Sequence, residues 1–326
     1  MLRLPPFKYL APKSISEAVA HKKACGDTAM YTAGGTDLFP NMKRRQFNPK
    51  TLIGLKDIKE IRKINFDSGL RIGAGVSLNE LVKHSKISKF YPALSKAASL
   101  VSSPQLRNMG TIGGNLCLDT RCNYYNQSFQ WRKALGFCMK KDGKICWVAL
   151  SSPKCLAVSS SDCAPVVMAL NGEISLVGSE GERNIPAAEF YKNDGINFLN
   201  KKPDELMVSI YLPPHDGWQM NYKKLRRRDS IDFPILGVAI ALRILENKIC
   251  EDARIVLGAL SSCPIRAYEA EKKIIGERLN PEVINDVSKI ASRIVKPVEN
   301  TDMSLGFRKK MVRKFVTKVI QETISN

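Results

Sequence analysis

Two groups of residues in this chain have the types and spacing to do chemistry. The first is a pair of glycine-rich loops. One reads Tyr31-Thr32-Ala33-Gly34-Gly35-Thr36-Asp37-Leu38, the other Arg107-Asn108-Met109-Gly110-Thr111-Ile112-Gly113-Gly114-Asn115. Glycines let backbone N–H groups come close to an anion and permit positive φ angles. Threonine hydroxyls in both loops, and the Asn115 amide, add side-chain donors. Neither loop runs into Gly-Lys-Ser/Thr, and neither has the G-x-G-x-x-G spacing. Each alone reads as a turn; together they predict a phosphate-bearing ligand.

The second group is Cys122, Cys138, Cys146 and Cys155, spaced C-x15-C, C-x7-C and C-x8-C. No pair has the C-x2-C form, so spacing names no metal. Four thiolates suit zinc or an iron–sulfur cluster, and unligated thiols are the plain alternative. The stretch that carries them, 116–160, is polar and aperiodic, which argues against core packing. Its ordering entropy needs compensation, and four covalent bonds to a cluster provide it. Phe129, Trp131, Phe137 and Trp147 could shield such a group from water. Cys25, Cys117, Cys163, Cys250 and Cys263 read as core thiols, with Cys117 and Cys163 near enough in sequence to stand in as ligands. His21, His84 and His215 read as surface residues, and no catalytic acid, base or nucleophile emerges.

These residues need elements to position them. Residues 14–25 read as an amphipathic helix opened by Ser16 with Glu17 and ended by Gly26. Strands over 29–33 and 51–55 complete a small βαβ unit. A strand over 70–75 precedes helices over 78–84 and 91–101. After the aperiodic stretch, strand-like runs cover 166–170, 173–177 and 206–212. Pro213-Pro214-His215-Asp216-Gly217 reads as a boundary turn. Runs over 236–245 and 249–260 predict an antiparallel sheet, followed by helices over 265–277, 281–294 and 304–323. Strands followed by helices make the class α+β.

The chain has 326 residues, 44% of them hydrophobic, enough for two or three packed units. No window approaches the roughly 20 apolar residues of a membrane span, and no signal-peptide h-region follows the first residues. No membrane association and a cytoplasmic location are expected. Nine cysteines in a chain this long do not suggest a secreted disulfide scaffold. The net charge of +20 favours anionic partners. Without zinc-finger spacing or an RNA-binding aromatic signature, nucleic acid is not among the expected ones.

Ordered motifs along the whole chain resemble the FAD-binding subunits of the molybdenum hydroxylases, the group that includes xanthine dehydrogenase and carbon monoxide dehydrogenase. They are Ala33-Gly34-Gly35-Thr36-Asp37-Leu38, Gln105-Leu106-Arg107-Asn108 leading to Thr111-Ile112-Gly113-Gly114-Asn115, Ser161-Asp162 before Ala164-Pro165, residues 204–210, Tyr222-Lys223-Lys224 with Arg228 and Asp232, and Gly258-Ala259 before Pro264-Ile265-Arg266-Ala267. The resemblance implies a two-lobed FAD-binding domain over 1–216: a small βαβ lobe and a larger lobe with a mostly antiparallel sheet. The cysteine-bearing insertion, about 117–160, lies within it. A C-terminal α+β domain over 217–326 follows, with an antiparallel sheet and helices. Residues 31–38 and 111–115 would wrap the FAD pyrophosphate and ribityl chain, and Asp162 would hydrogen-bond flavin or ribityl groups. Val101, Leu206 or Met207, and Lys224 would line the flavin pocket. From composition alone, Val101, Leu206 and Met207 read as core and Lys224 as surface.

Within this group the insertion resembles the β subunits of 4-hydroxybenzoyl-CoA reductases. The matching stretches are residues 119–127, Trp131-Arg132-Lys133-Ala134, Gly136-Phe137-Cys138 and Ser152-Pro153-Lys154-Cys155. That likeness implies a [4Fe–4S] cluster on Cys122, Cys138, Cys146 and Cys155. It also implies a molybdenum-cofactor large subunit that holds the substrate, a small subunit with two [2Fe–2S] clusters, and a dimer of such heterotrimers. Electrons would come from reduced ferredoxin, and a basic face at Lys133, Lys140, Lys141, Lys144 and Lys154 would steer its docking. The rival readings are the flavin subunit of another molybdenum hydroxylase, and a basic zinc-stabilised binding protein without a redox role.

Overall fold

The computed structural model describes residues 3–325. The N-terminal lobe is built from β1 (Lys8–Leu10), α1 (Ile15–Cys25), β2 (Ala29–Thr32), α2 (Leu38–Lys43) and β3 (Thr51–Gly54). Its three strands are parallel in the order β1-β3-β2. Ser14 caps α1, its Oγ accepting from the Glu17 N–H at 3.2 Å, so the helix starts ahead of the expected Ser16. The small core behind this sheet joins Ala18, Ile53 and Ile58 to Leu206 and Val208 of the neighbouring lobe.

The larger lobe starts with β4 (Ile64–Phe66), β5 (Leu70–Gly73) and the short helices α3 (Leu78–Lys83), α4 (Ser85–Phe90), α5 (Pro92–Ser99), α6 (Pro104–Met109) and α7 (Ile112–Leu116). The cysteine-bearing stretch contains one helix, α8 (Phe129–Ala134), and otherwise turns and isolated bridges. Then come α9 (Cys163–Ala169), β6 (Glu173–Gly178), β7 (Gly181–Pro186), α10 (Ala187–Phe190) and β8 (Leu206–Leu212). The sheet is antiparallel throughout, in the order β4-β5-β8-β6-β7. The expected strand over 166–170 is a correction. Those residues fall mainly in α9, whose seven residues are all buried. An apolar run buried on every side has no period, and length alone does not separate helix from strand.

The C-terminal unit holds β9 (Trp218–Leu225), β10 (Leu236–Ile244), β11 (Cys250–Gly258), β12 (Ile265–Arg266), α11 (Tyr268–Ile274), α12 (Pro281–Arg293) and α13 (Leu305–Ile324). Its antiparallel sheet, β12-β11-β10-β9, is covered on both faces. Along β10, Leu236, Val238, Ile240 and Leu242 pack into the helical core of this unit, while Ala239 and Ala241 join the core of the larger lobe. Alternate residues of a strand point to opposite faces, so one strand welds two units. Pro165 of α9 sits over Gly258, where a Cβ would lie 2.6 Å from its ring. That two-sided burial brings Tyr222 and Lys224 of β9 into hydrogen-bond reach of Asp162 in the larger lobe.

Candidate functional site

A cavity of about 690 Å³ opens where the three units meet. That lies within the about 300–1,000 Å³ typical of small-molecule and cofactor sites. All of residues 31–38 line it, with Val101, Thr111, Gly114, Asn115 and Asp162. Ile112, Gly113, Leu206, Met207 and Lys224 do not. Ile112, Leu206 and Met207 are core residues, and Gly113 lets α7 press on the β5 end, where a Cβ would lie 2.6 Å from that of Ala74.

The two glycine loops lie against each other. A Cβ on Gly34 would overlap the Met109 carbonyl, so only glycine lets the first loop reach the second. Their donors differ. In the first loop no protein acceptor takes the N–H of Gly34, Gly35 or Thr36 among the described residues. Gly35 has φ +68°, the left-handed region that glycine adopts without strain. In the second loop the N–H groups are already committed. Ile112 donates to Val76 O, Gly113 to Ala74 O and Asn115 to Thr111 O, each at 2.9 Å. Gly114 donates to Thr111 Oγ1 at 3.1 Å. The first loop therefore keeps N–H donors available to an anion, and the second forms a floor. At Gly114 a Cβ would meet only Thr111 Oγ1, at 3.1 Å, so its remaining surroundings are open.

Polar groups round the cavity are held in place from behind. Asn115 Oδ1 accepts from Ser161 Oγ at 2.7 Å and from the Cys163 N–H at 3.1 Å, which leaves its NH2 as the end free for a ligand. Asp162 accepts from Tyr222 Oη at Oδ1 and from Lys224 Nζ at Oδ2, both at 2.8 Å. Lys224 also donates to Leu100 O at 3.0 Å and Asp232 O at 2.8 Å. The Asp162 and Lys224 side chains are only 4% and 1% exposed. Burial pushes the Asp162 carboxyl up from its ordinary range, against the pull of Lys224 and the Tyr222 hydroxyl. Lys224 is thus a buried support for Asp162 rather than a surface lysine. Asp37 is held by Arg121 and by Asn41 Nδ2. Burial lowers the Arg121 guanidinium to about 10. Thr32 Oγ1 and Ser160 Oγ are buried on this wall without a protein partner, and Asp119 Oδ2 likewise. Uncommitted polar atoms of this kind are costly unless something binds them.

Sequence reasoning missed Asp119, Tyr125, Lys140, Ser160, Phe198 and the 231–233 segment as cavity residues. Ser160 adjoins the Ser161-Asp162 motif and could have been found. The others come from loops whose meeting no local pattern announces.

The cysteine-bearing stretch folds beside this cavity. Cys122, Cys138 and Cys155 pack with Tyr125 and Ala157 in one apolar cluster, and Cys146 is 4% exposed. Burial pushes the Cys122 thiol up to about 12 and Cys155 up to about 11. Each is raised further by neighbouring members of the four: Cys122 by Cys155 and Cys138, Cys155 by Cys146 and Cys138. Trp147 covers the group, its Nε1 donating to Phe137 O at 2.5 Å. Trp131 and Phe129 are 40% and 37% exposed and do not shield it as expected. All three units anchor the stretch: Gln46 Nε2 donates to Tyr125 O at 2.5 Å, the Gly195 N–H to Cys155 O at 2.8 Å, and Asn300 Nδ2 to Leu156 O at 2.6 Å. Among the described residues no three or more His, Cys, Asp or Glu side chains are arranged to hold a metal ion. The Cys163 thiol is buried in α9, and Cys117 lines the cavity instead. Two further expectations are corrected. Lys140 is not on the basic face, because its side chain is 5% exposed. His215 is buried, its ring edge-on to Tyr91 and Trp218.

Comparison with known proteins names the class. Residues 5–215 match the FAD-binding domain of molybdopterin dehydrogenases, and residues 220–323 the C-terminal domain of carbon monoxide dehydrogenase flavoproteins. The chain belongs to this family: it is an FAD-binding, molybdenum-hydroxylase-type oxidoreductase subunit. It is 28% identical to the glyceraldehyde dehydrogenase medium chain of Sulfolobus acidocaldarius over 98% of each chain. It is 28% identical to the carbon monoxide dehydrogenase medium chain of Hydrogenophaga pseudoflava, over 97% of this chain and 96% of that one. The solved carbon monoxide dehydrogenase of H. pseudoflava that lacks the Mo-pyranopterin moiety superposes with a TM-score of 0.82 at 26% identity, over 99% of each chain. The α+β architecture expected from sequence is that of this structure. No helix among the described residues is long and apolar enough to cross a membrane.

Proposed function

We propose that this chain is the FAD- and [4Fe–4S]-bearing electron-transfer subunit of a molybdenum enzyme that removes the phenolic hydroxyl of 4-hydroxybenzoyl-CoA. One observation carries the reading beyond the family: four buried cysteines of one stretch, three of them packed in a cluster that shares Tyr125 with the wall of the FAD cavity. The donor set suits an iron–sulfur cluster, because four thiolates in an apolar, water-poor pocket are its usual ligands. A zinc site would draw all four sulfurs to about 2.3 Å from one centre. Acid-labile sulfide, which an iron–sulfur cluster contains and a zinc site lacks, separates the two. We read the FAD-binding domain as 1–216 with the insertion at about 117–160, and the C-terminal domain as 217–326.

When bound, FAD supplies both one- and two-electron exchange and the cluster one-electron exchange. The chain's residues do the rest. Gly34, Gly35 and Thr36 offer N–H donors to a phosphate. Thr32, Ser160, the Asn115 NH2 and Asp162 offer polar contacts along the cavity, and Lys224 keeps Asp162 in place. Val101, Phe198 and Phe233 supply apolar wall. The partners proposed are a molybdenum-cofactor large subunit, a small subunit with two [2Fe–2S] clusters, and reduced ferredoxin as donor, in a dimer of heterotrimers. The substrate would sit on the large subunit.

The same fold serves enzymes named for glyceraldehyde and carbon monoxide oxidation, so a different substrate is the second reading. The test is to purify the chain with its neighbours, measure FAD, iron and acid-labile sulfide, and assay aryl-CoA reduction with reduced viologen. About eight irons and eight sulfides per FAD, four of each beyond those of the two [2Fe–2S] clusters, and benzoyl-CoA formed, support the first reading. Flavin without extra iron, or inert aryl-CoA, supports the second. Zinc without flavin overturns both.

A further inference from the structure

Lys140 occupies a position that the cofactor assignments above leave unused. The turn that begins at Cys138 bends back on itself, with the Lys141 N–H donating to Cys138 O at 2.8 Å and the Gly143 N–H at 3.0 Å. This sends Cys138 into the cysteine pocket and Lys140 to the wall of the FAD cavity. The Lys140 ammonium donates to Asp119 Oδ1 and Thr120 Oγ1, each at 2.7 Å, and to Gly195 O at 2.5 Å. It lies 4.9 Å from the Tyr125 ring centre and 5.5 Å from that of Phe198. Gly195 in turn touches the cysteine pocket, where a Cβ on it would lie 2.7 Å from Cys155 Sγ. The Tyr125 N–H donates to Cys122 O at 3.0 Å. Segments bearing three of the four cysteines therefore meet at one ammonium, on the partition between the two pockets.

We propose that Lys140, paired with Asp119, is a positioning residue that fixes the charge of this partition and so sets both the affinity of the cavity for FAD and the reduction potential of the flavin. The proposal rests on the FAD reading of the cavity and is independent of what the cysteines bind. The pair as it stands is neutral. Its second carboxylate oxygen, Asp119 Oδ2, is buried without a hydrogen-bond partner, and the Tyr125 hydroxyl beside Asp119 carries no charge, so Lys140 is the cation that balances it. Removing the lysine leaves a negative wall, which disfavours an anionic pyrophosphate and disfavours adding electrons beside it. Removing the carboxylate charge leaves a positive wall, which favours both. Charge-assisted bonds in a dry setting have large effects on this scale.

The experiment uses the full-length chain, deflavinated and retitrated with FAD, with the flavin midpoint measured by dye-equilibrated reduction. Lys140→Met is expected to raise the FAD dissociation constant about tenfold and to lower the midpoint by about 30 mV, a tenfold change for a two-electron couple. Lys140→Arg should restore most of both. Asp119→Asn should move the midpoint upward without weakening FAD. Opposite shifts from two variants that break the same ion pair separate charge from structure, because loss of packing would move both the same way. If Lys140→Met does not fold, the upward shift in Asp119→Asn still decides. Equal midpoints in all variants, or shifts of one sign, overturn the proposal. If the parent chain itself takes up no FAD, the cavity reading fails and this one with it. Iron content, measured on the same samples, reports separately on the cysteine pocket.

Discussion

The buried Lys224–Asp162 pair is the most exacting test of how this cavity is built. The perturbation is Lys224→Met, close in length and unable to carry charge. The structure sets the magnitude. Both side chains are nearly fully buried, at 1% and 4% exposure, and the ammonium makes three hydrogen bonds of 2.8 to 3.0 Å. Breaking such a pair from one side leaves a buried carboxylate and typically costs about 3–5 kcal/mol. Asp162 keeps its bond from Tyr222, so the lower half of that range is expected. The assay is urea unfolding of the deflavinated chain for the parent, Lys224→Met, Asp162→Asn and the double variant. The double variant should lose less than the sum of the singles by about 2 kcal/mol, the mark of a direct coupling. A pH series adds a signed check. Burial already raises the folded-state pKa of Asp162 above its ordinary 3.8. Loss of Lys224 raises it further. A group whose folded pKa lies above its unfolded one stabilises the protein at low pH and loses that stabilisation as pH rises through the folded value. The deficit of Lys224→Met should therefore shrink in acid and grow toward neutrality. Lys224→Met within about 1 kcal/mol of the parent at neutral pH, or a deficit that grows in acid, would refute the reasoning.

Three further outcomes are expected. Gly114→Val adds methyls beside the cavity with only Thr111 Oγ1 near its Cβ, so the chain should fold while FAD affinity falls about 100-fold, near 2.8 kcal/mol; full flavin occupancy after dialysis would sink this. Cys138→Ser should abolish iron–sulfur absorbance while FAD stays bound; zinc in place of iron in the parent would show the cluster assignment to be wrong. His215 is buried, and burial lowers its pKa from 6.5, so unfolding takes up a proton in acid. The parent should lose stability as pH falls below 6.5, with a slope of at most about 1.4 kcal/mol per pH unit for the one proton, and His215→Gln should lack that component when urea midpoints are compared at about pH 5 and about pH 7.5.

The fold was legible wherever burial is one-sided or periodic. The strand at 206–212 and the helices near 281–293 and 305–324 lie where the sequence placed them. It failed at α9, where burial on every side erases the period, and at β7, whose Gly-Glu-Arg-Asn-Ile-Pro has too little apolar pattern to announce a strand. Of the cavity wall, residues 31–38, Thr111, Gly114, Asn115 and Asp162 were legible because they sit in compact motifs, and Val101 only through the family resemblance. Lys224 was named by its motif, yet composition alone placed it at the surface. Its burial follows from the sheet pairing of β9 with β10, a long-range event. Asp119 and Lys140 lay in the stretch without a pattern, and only the folded loop shows that they are partners.

The two glycine loops look alike in sequence and do different work, and the difference lies in where their N–H groups go. In the second loop, hydrogen bonds to Val76, Ala74 and Thr111 use the donors of Ile112, Gly113, Gly114 and Asn115, so its glycines serve close approach rather than anion binding. Gly113 packs on Ala74, and Gly114 leaves room beside the cavity. The first loop keeps its donors uncommitted because β2 ends at Thr32 and α2 begins only at Leu38. The chain between them belongs to no ladder, and among the described residues the N–H groups of Gly34, Gly35 and Thr36 have no protein acceptor. A pyrophosphate should accordingly depend on the backbone of residues 34–36 and be nearly indifferent to Thr111→Ser, which preserves the hydroxyl that holds Gly114. If Thr111→Ser weakened FAD as much as a Gly35 substitution, that division of labour would be wrong, and the second loop would be the phosphate site after all.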